Sequence, residues 1–141
     1  MPQVLSAAKA VIQSDGKFLV IKQKVGDQEI WDLPGGRVQF GESPNQTLHR
    51  EIKEETGLDV DIVCPLGVWW FYRSMSDGDQ VVCHTFLCEP QHTDIDITRN
   101  NKDPEEEIIE HRWVTKEEFL TNNYLVGDQS LKDLIANAVT V

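Results

Sequence analysis

The strongest constraint on the fold is a helix whose two ends are both marked in the sequence. Ser43 is a favourable N-cap residue, Pro44 suits the first helical position, and Gln46 completes a capping box with Ser43. Gly57 supplies the left-handed conformation in which helices commonly end. The pattern therefore predicts a helix that begins at residue 44 and runs to about residue 55 or 56.

Three glutamates of this helix fall on one side of it. At about 100° per residue, Glu51, Glu54 and Glu55 lie within an arc of roughly 100°. Leu48 and Ile52 occupy the neighbouring arc, so we expect them to pack on a sheet while the acidic cluster borders the core. Carboxylates this close repel one another, and at least one pKa should rise unless a cation binds. The helix alone leaves two interpretations open, a solvated acidic face and a site for Mg²⁺ or Mn²⁺.

Strand-like and helix-like segments alternate along the rest of the chain. Residues 6–13 and 17–23 predict two strands joined at Ser14-Asp15-Gly16, because Asp-Gly favours a hairpin turn. Residues 31–40 read as extended chain broken at Pro34-Gly35-Gly36. Further strands are predicted at 58–73, 80–90 and 107–115, and further helices at 116–123 and 129–139. This mixture predicts an α/β fold with helices on both sides of a sheet, most simply as one domain over residues 1–141.

The net charge of −11 limits the classes of partner. So negative a surface argues against binding to a nucleic-acid polymer or an anionic membrane, although a small anionic substrate is compatible if a metal ion supplies positive charge locally. No apolar run approaches the roughly 18 residues of a membrane-spanning helix, and the first residues lack the pattern of a secretory signal. The three cysteines, without CxxC spacing, fit reduced thiols. We therefore expect a cytoplasmic protein.

Residues 36–58 match a motif with nine fixed positions. The spacing is glycine, five residues, glutamate, seven residues, then Arg-Glu-aliphatic-x-Glu-Glu-x-Gly-aliphatic. The matching positions are Gly36, Glu42, Arg50, Glu51, Ile52, Glu54, Glu55, Gly57 and Leu58. Average residue frequencies put chance agreement in a chain of this length at ~10⁻⁸. The segment resembles the Nudix box, and "WDLPGG" and "HRWVTKEEF" resemble the flanking segments of Nudix proteins, so the resemblance covers almost the whole chain.

The resemblance to Nudix hydrolases implies an α/β/α sandwich with a mixed β-sheet, in which the box forms a loop-helix-loop. It implies hydrolysis of a diphosphate linkage, in a nucleoside diphosphate joined to another group or in a nucleoside triphosphate, with Mg²⁺ or Mn²⁺ as cofactor. A Nudix-fold module that binds a nucleotide without hydrolysing it is the weaker alternative, because such modules usually lack some box glutamates. Nudix proteins are often dimers, so a homodimer and a monomer are both open.

The same resemblance assigns roles within the box. Glu51, Glu54 and Glu55, with the carbonyl of Gly36, are the expected metal ligands. Arg50 is expected to orient a box glutamate rather than to bind phosphate, and an ordinary ion pair on the helix surface is its alternative role. The catalytic residues are thus Glu54, Glu51 and Arg50, with Glu54 or Glu51 as the general base.

Other carboxylates are candidates for an accessory base or metal ligand. Glu42 lies within the box, and Glu106 and Glu107 belong to the acidic segment "DPEEEIIEH" before a predicted strand. That segment has two interpretations, a loop that swings over the metal site and a solvated run of charge, which is the commoner case.

Recognition of the rest of the substrate is expected outside the box. Trp69, Trp70, Phe71 and Tyr72 form an aromatic run in which alternation points two side chains to each face of a strand, and Trp70 and Tyr72 are selected as substrate-binding residues. One or two of them are candidates for stacking on a base, with sheet packing as the alternative for each. Phe40 is a similar candidate, and Arg37 is a candidate for binding distal phosphates or a ribose. The expected partner is a small nucleotide.

Overall fold

The computed structural model describes residues 1–73, 78–97 and 106–140, and within them the chain forms seven strands and three helices. In chain order the elements are β1 (Val4–Ser14), β2 (Lys17–Val25), β3 (Gln28–Asp32), β4 (Gly35–Arg37), α1 (Pro44–Thr56), β5 (Val60–Tyr72), β6 (Gln80–Pro90), β7 (Glu106–Val114), α2 (Lys116–Phe119) and α3 (Gln129–Ala138). None of the helices in the described ranges is long and apolar enough to cross a membrane.

The central strand β1 organises a mixed sheet. It pairs in parallel with β6, and antiparallel with β4 and with the start of β2. The strand order is β3-β2-β1-β6-β5, and β7 adds to β2. At the turn from β1 to β2, Asp15 has φ 53° and Gly16 has φ 75°, the left-handed values that a two-residue hairpin turn requires. The predicted hairpin is confirmed.

Two apolar cores lie on opposite faces of this sheet. Alternate residues of β1 divide between them, with Val11 in one core and Ile12 in the other. The first core includes Phe119 of α2 and Leu131 of α3, and the second includes Leu48 of α1. All five side chains are fully buried. Helices therefore cover both faces of the sheet, as the α/β/α prediction requires.

The helix α1 begins and ends where the sequence predicts. The Ser43 side chain accepts a hydrogen bond from the backbone N–H of Gln46 at 3.2 Å, and the Gln46 side chain accepts from the Ser43 N–H at 2.9 Å. Gly57 follows with φ 77° and donates its N–H to the Lys53 carbonyl. These contacts set the two ends of α1, and the burial of Leu48 and Ile52 against the sheet turns the acidic arc to the margin of the core.

The stretch around Pro34 differs from the prediction. Gly35 and Gly36 do not break the extended chain but form β4, which pairs with Lys9 and Ala8 of β1. Gly35 has φ 139°, and a Cβ there would lie 2.1 Å from the Ala8 carbonyl oxygen. Glycine permits this close approach of two backbones because it has no side chain. The approach brings the first residues of the box up to the central strand.

Candidate active site

Arg50 is the centre of the polar contacts on the acidic side of α1. Its Nε and Nη2 donate to Oε2 and Oε1 of Glu42, at 2.8 and 2.9 Å. Its Nη1 donates to Glu51 Oε1 at 2.6 Å and to Glu54 Oε2 at 3.4 Å. These hydrogen bonds raise the pKa of Arg50, and the hydrogen bonding to Glu42 contributes most. The contacts are those expected of a residue that orients box glutamates.

Glu42 is held by the loop before α1 as well as by Arg50. Its Oε1 accepts from the Gln39 backbone N–H at 3.0 Å and from Thr47 Oγ1 at 2.9 Å. Because Arg50 and these donors stabilise the ionised carboxylate, the pKa of Glu42 falls to about 2. An ionised Glu42 therefore ties the loop to the guanidinium.

Glu51 lies directly against the backbone of Gly36. A Cβ on Gly36 would be 2.5 Å from the Glu51 carboxyl carbon, so any side chain at this position would displace the carboxylate. The side chain of Glu51 is 18% exposed, and the residue lines a cleft together with Gly36. The structure thus brings two of the predicted metal-binding residues side by side.

Glu55 is the buried member of the glutamate cluster. It is 5% exposed, and its Oε1 accepts from the Gly35 backbone N–H at 2.7 Å. Burial raises the pKa of Glu55 to about 8, although Lys9 and the bond from Gly35 act in the opposite direction. An ionised carboxylate in this position is costly unless positive charge approaches it, which fits a cation-binding role.

A buried ion pair lies near Glu55. Lys9 Nζ donates to Asp32 Oδ2 at 2.9 Å and to the Leu33 carbonyl at 3.4 Å, and the Lys9 and Asp32 side chains are 6% and 9% exposed. The second oxygen of Asp32 accepts from the Leu33 N–H at 2.7 Å. Burial acts to lower the pKa of Lys9, but Asp32, with smaller contributions from Cys83 and Glu55, outweighs it and raises that pKa.

These groups share a cleft of about 800 Å³ with a set of apolar side chains. Its polar part is lined by Lys9, Asp32, Gly36, Arg37, Glu51 and Glu55. Its apolar part is lined by Trp31, Trp69, Phe71, Tyr72, Val81 and Leu125. A cleft of this size that combines apolar walls with a few convergent polar groups is typical of a small-molecule site.

The structure places two of the four predicted substrate-binding residues at this cleft. Arg37 and Tyr72 line it. Phe40 does not, because its side chain projects fully into solvent from the loop before α1. Trp70 does not either, because its side chain is 40% exposed outside the cleft, whereas the neighbouring Trp69 lines it. Phe40 and Trp70 therefore lie outside this cleft.

The accessory carboxylates are more scattered. Glu107 is exposed on β7, opposite Lys24 of β2, and does not line the cleft. Glu106 begins β7 opposite Val25, which is a cleft residue, but the Glu106 side chain lies outside the described residues, as do residues 98–105, which include the start of the acidic segment. Glu54 is bonded to Arg50 with its side chain 29% exposed, beside the cleft rather than in its wall.

In the part of the chain that the structure describes, no three Asp, Glu, His or Cys side chains converge closely enough to form a metal-ligand group. The glutamates do not converge because each has another hydrogen-bond partner. Glu51 and Glu54 accept from Arg50, and Glu55 accepts from the Gly35 backbone N–H. The donor set nevertheless suits Mg²⁺ or Mn²⁺, because it consists of oxygen atoms on one side of α1 and because the glycine at position 36 lets the Glu51 carboxylate lie against the backbone.

Lys9, Asp32, Trp69 and Phe71 all line the cleft, although none of them is among the site residues predicted from the sequence. A signal existed for Lys9, which is the one charged residue in the apolar run "AAKAVI". A lysine inside a central strand is seldom buried without a carboxylate partner. For Trp69 and Phe71, alternation shows that they face the opposite side of the strand from Trp70. It does not show which side faces a ligand.

Comparison with known proteins adds independent information. A family model described as NUDIX domain matches residues 2–136. A MutT-like protein of Streptomyces ambofaciens is 35% identical over 86 residues, which are 61% of this chain and 51% of that protein. An ADP-ribose pyrophosphatase of Bacillus subtilis (strain 168) is 30% identical over 118 residues, 82% of this chain and 60% of that protein.

The fold also has counterparts among solved structures. The crystal structure of a MutT protein from Methanosarcina mazei Go1 superposes with a TM-score of 0.78 at 24% identity, covering 96% of this chain and 92% of that one. The two chains share one fold, and the predicted fold class is confirmed. By contrast, this chain spans only 51% and 60% of the length of the two curated relatives above.

Proposed function

The chain belongs to the Nudix hydrolase family, and from that premise we propose that it is a metal-dependent pyrophosphohydrolase. The substrate is a nucleoside diphosphate joined to another group, or a nucleoside triphosphate, and water attacks phosphorus at a diphosphate linkage. One observation carries the proposal: Gly36, Glu51 and Glu55 of the box line the same cleft as Phe71 and Tyr72. A nucleotide needs both groups of residues, the polar box residues for its phosphates and the aromatic residues for its base.

The box supplies the residues that would hold Mg²⁺ or Mn²⁺. They are Glu51, Glu54, Glu55 and the carbonyl of Gly36. The ion, when bound, neutralises diphosphate oxygens and lowers the pKa of the attacking water. Arg50 keeps two of these carboxylates together, since a single nitrogen, Nη1, donates to both Glu51 and Glu54. The arginine thereby limits the side-chain freedom that ligand binding would otherwise have to remove.

Glu54 or Glu51 receives the proton of the attacking water. A general base must lie within hydrogen-bond reach of that proton, directly or through one further water. Glu51 lines the cleft, and Glu54 follows it by three residues on the same side of α1. Glu107 lies on the exposed surface of β7, outside the cleft, and receives no role.

The apolar part of the cleft is proposed to bind the nucleoside. The rings of Trp69 and Phe71 pack with centroids 5.7 Å apart, Trp69 is buried, and Phe71 is partly exposed in the cleft wall. A partly exposed ring backed by a buried one suits stacking on a base. Arg37 and Arg73 also line the cleft and are suited to a distal phosphate or a ribose.

A substrate panel tests the proposal. The purified protein is incubated with ADP-ribose, nucleotide sugars, dinucleoside polyphosphates, (deoxy)nucleoside triphosphates and a 5′-triphosphate RNA, each with Mg²⁺, with Mn²⁺ or with EDTA, and the products are separated by chromatography. We expect one class of small nucleotide to be cleaved at a diphosphate linkage in either metal and none to be cleaved in EDTA. Tight nucleotide binding by calorimetry without product in either metal would replace the proposal with a binding module.

A further inference from the structure

The cleft contains a charged pair that the proposed reaction does not use, Lys9 with Asp32. Lys9 lies in the middle of β1 between Ala8 and Ala10, both fully buried, and is itself 5% exposed. Replacing a buried ion pair by apolar residues of similar volume is often neutral or stabilising. Stability alone is therefore a weak explanation for the Lys9–Asp32 pair, and its contacts suggest that it positions nearby residues.

The pair ties the chain between β3 and β4 to the central strand. Lys9 Nζ bonds both the Asp32 carboxylate and the Leu33 carbonyl, at 2.9 and 3.4 Å. The other Asp32 oxygen accepts from the Leu33 N–H at 2.7 Å, and the Ala10 N–H donates to the Pro34 carbonyl at 2.9 Å. Residues 32, 33 and 34 are thus each fixed relative to β1.

The next residue carries the group that orients Glu55. The Gly35 N–H donates to Glu55 Oε1 at 2.7 Å. Gly35 is also the β4 partner of Lys9, so close that a Cβ on Gly35 would lie 2.8 Å from the Lys9 Cα. The direction of the Gly35 N–H, and with it the orientation of the Glu55 carboxylate, depends on how this segment is held.

We propose that Lys9 and Asp32 are positioning residues, which lock residues 32–35 so that the Gly35 N–H holds Glu55 in the orientation needed to bind the divalent ion. The inference rests on the proposed function, since it concerns Glu55 as a metal ligand. Lys9 is not assigned to the substrate, because its side chain is 6% exposed and its Nζ is bonded to Asp32 and Leu33.

The test uses a double variant, Lys9→Met with Asp32→Asn. Both partners lose their charge, so neither is left as an uncompensated buried ion, and the Asn amide oxygen can still accept from the Leu33 N–H. Mn²⁺ affinity is measured without nucleotide by electron paramagnetic resonance, amide hydrogen exchange at Gly35 by NMR, and kcat and KM on the best substrate. We expect Mn²⁺ to bind about 10- to 100-fold more weakly, as for other partners of metal ligands. Gly35 should exchange faster, and kcat should fall with KM nearly unchanged.

A matched control separates positioning from general loosening of the sheet. Lys22 and Glu29 form a 3.0 Å ion pair between β2 and β3, and neither residue lines the cleft. Lys22→Met with Glu29→Gln should leave Mn²⁺ affinity within about twofold of wild type, because this partly exposed pair is worth little. Equal weakening of Mn²⁺ binding by the two double variants would overturn the inference.

Three further results would overturn the inference, and a fourth bears on the proposed function alone. If Lys9→Met with Asp32→Asn does not fold, Asp32→Asn alone should weaken Mn²⁺ binding, and wild-type affinity in that variant would contradict the inference. Unchanged Mn²⁺ affinity and Gly35 exchange in a folded double variant would also overturn it, as would wild-type protein that binds no Mn²⁺. Wild-type protein that binds Mn²⁺ but hydrolyses no diphosphate would refute the proposed function and leave this comparison valid.

Discussion

Arg50 and Glu42 form a two-bond ion pair, with Nε–Oε2 and Nη2–Oε1 distances of 2.8 and 2.9 Å, and the pair fixes the point from which Nη1 reaches Glu51 and Glu54. A guanidinium can make these parallel bonds because it is planar and carries several donors, whereas an ammonium cannot. The box arginine is therefore better explained as a support for the glutamates than as a phosphate ligand.

Arg50→Lys tests this explanation, because it keeps the positive charge but removes the parallel hydrogen-bond donors of the guanidinium. We expect kcat to fall about 10- to 100-fold while KM changes little, since the glutamates lose their alignment but the nucleoside surface is intact. Steady-state kinetics on the best substrate gives the result. Lys53→Met is the control, because Lys53 lies on the same helix but pairs with Asp59 at 3.1 Å. An Arg50→Lys enzyme with wild-type kcat would contradict the supporting role.

The raised pKa of Glu55 predicts an unusual dependence of stability on pH. Its pKa is about 8 in the folded protein against an ordinary value of 4.5, so between these pH values the folded protein holds a proton that the unfolded chain has lost. The contribution of Glu55 to the free energy of unfolding is therefore complete below pH 4.5 and is lost as the pH rises to 8.

Glu55→Gln cannot ionise and keeps an acceptor for the Gly35 N–H. In EDTA, the stability of this variant relative to wild type should rise across that pH range by an amount on the order of a few kcal/mol. Urea unfolding at several pH values measures the difference. A difference that is the same at every pH would show that Glu55 does not titrate in this way.

The two glycines of β4 should respond differently to alanine. Gly35→Ala requires φ 139° and places Cβ 2.1 Å from the Ala8 carbonyl oxygen, so the free energy of unfolding should fall by about 3 kcal/mol or more. For Gly36→Ala the three atoms nearest to the new Cβ all belong to the side chain of Glu51, which can move aside. The Gly36 variant should stay folded with stability within about 1 kcal/mol of wild type, while Mn²⁺ affinity and kcat both fall. Thermal unfolding and Mn²⁺ titration distinguish them, and the reverse order of stabilities would contradict the geometry.

The aromatic wall of the cleft predicts a difference between neighbours on β5. Phe71→Leu keeps most of the packing volume but removes a ring from the cleft wall, so KM should rise by about tenfold if a base stacks there. Trp70→Leu is the matched control, since Trp70 is exposed outside the cleft, and its KM should stay near wild type. If the Trp70 variant raises KM more than the Phe71 variant, the nucleoside binds elsewhere.

The helix α1 and its glutamates could be predicted from the sequence because the information is local. The Ser43 cap and the Gly57 stop act within one turn of each end, and the arc of Glu51, Glu54 and Glu55 follows from helix geometry alone. The motif around them then suggested the chemistry.

The cleft could not be predicted in the same way, because its walls come from segments distant in the chain. Lys9 meets a carboxylate that lies 23 residues away, through a pairing of β1 and β4 that local patterns did not reveal. Alternation separated Trp69 from Trp70, but tertiary packing decided that Trp69 faces the cleft. For Phe40, nearness to the box in sequence did not mean nearness to the cleft in space.

The most direct test of the active-site assignment is the turnover of Glu54→Gln beside Glu117→Gln, measured on the best substrate of the panel with saturating Mg²⁺. Glu117 is an exposed glutamate of α2, away from the cleft, and serves as the matched control. We predict that Glu54→Gln keeps the wild-type unfolding transition and loses about two to four orders of magnitude in kcat, while Glu117→Gln turns over at the wild-type rate. A Glu54→Gln enzyme with wild-type kcat would contradict the assignment of the glutamate helix as the active site.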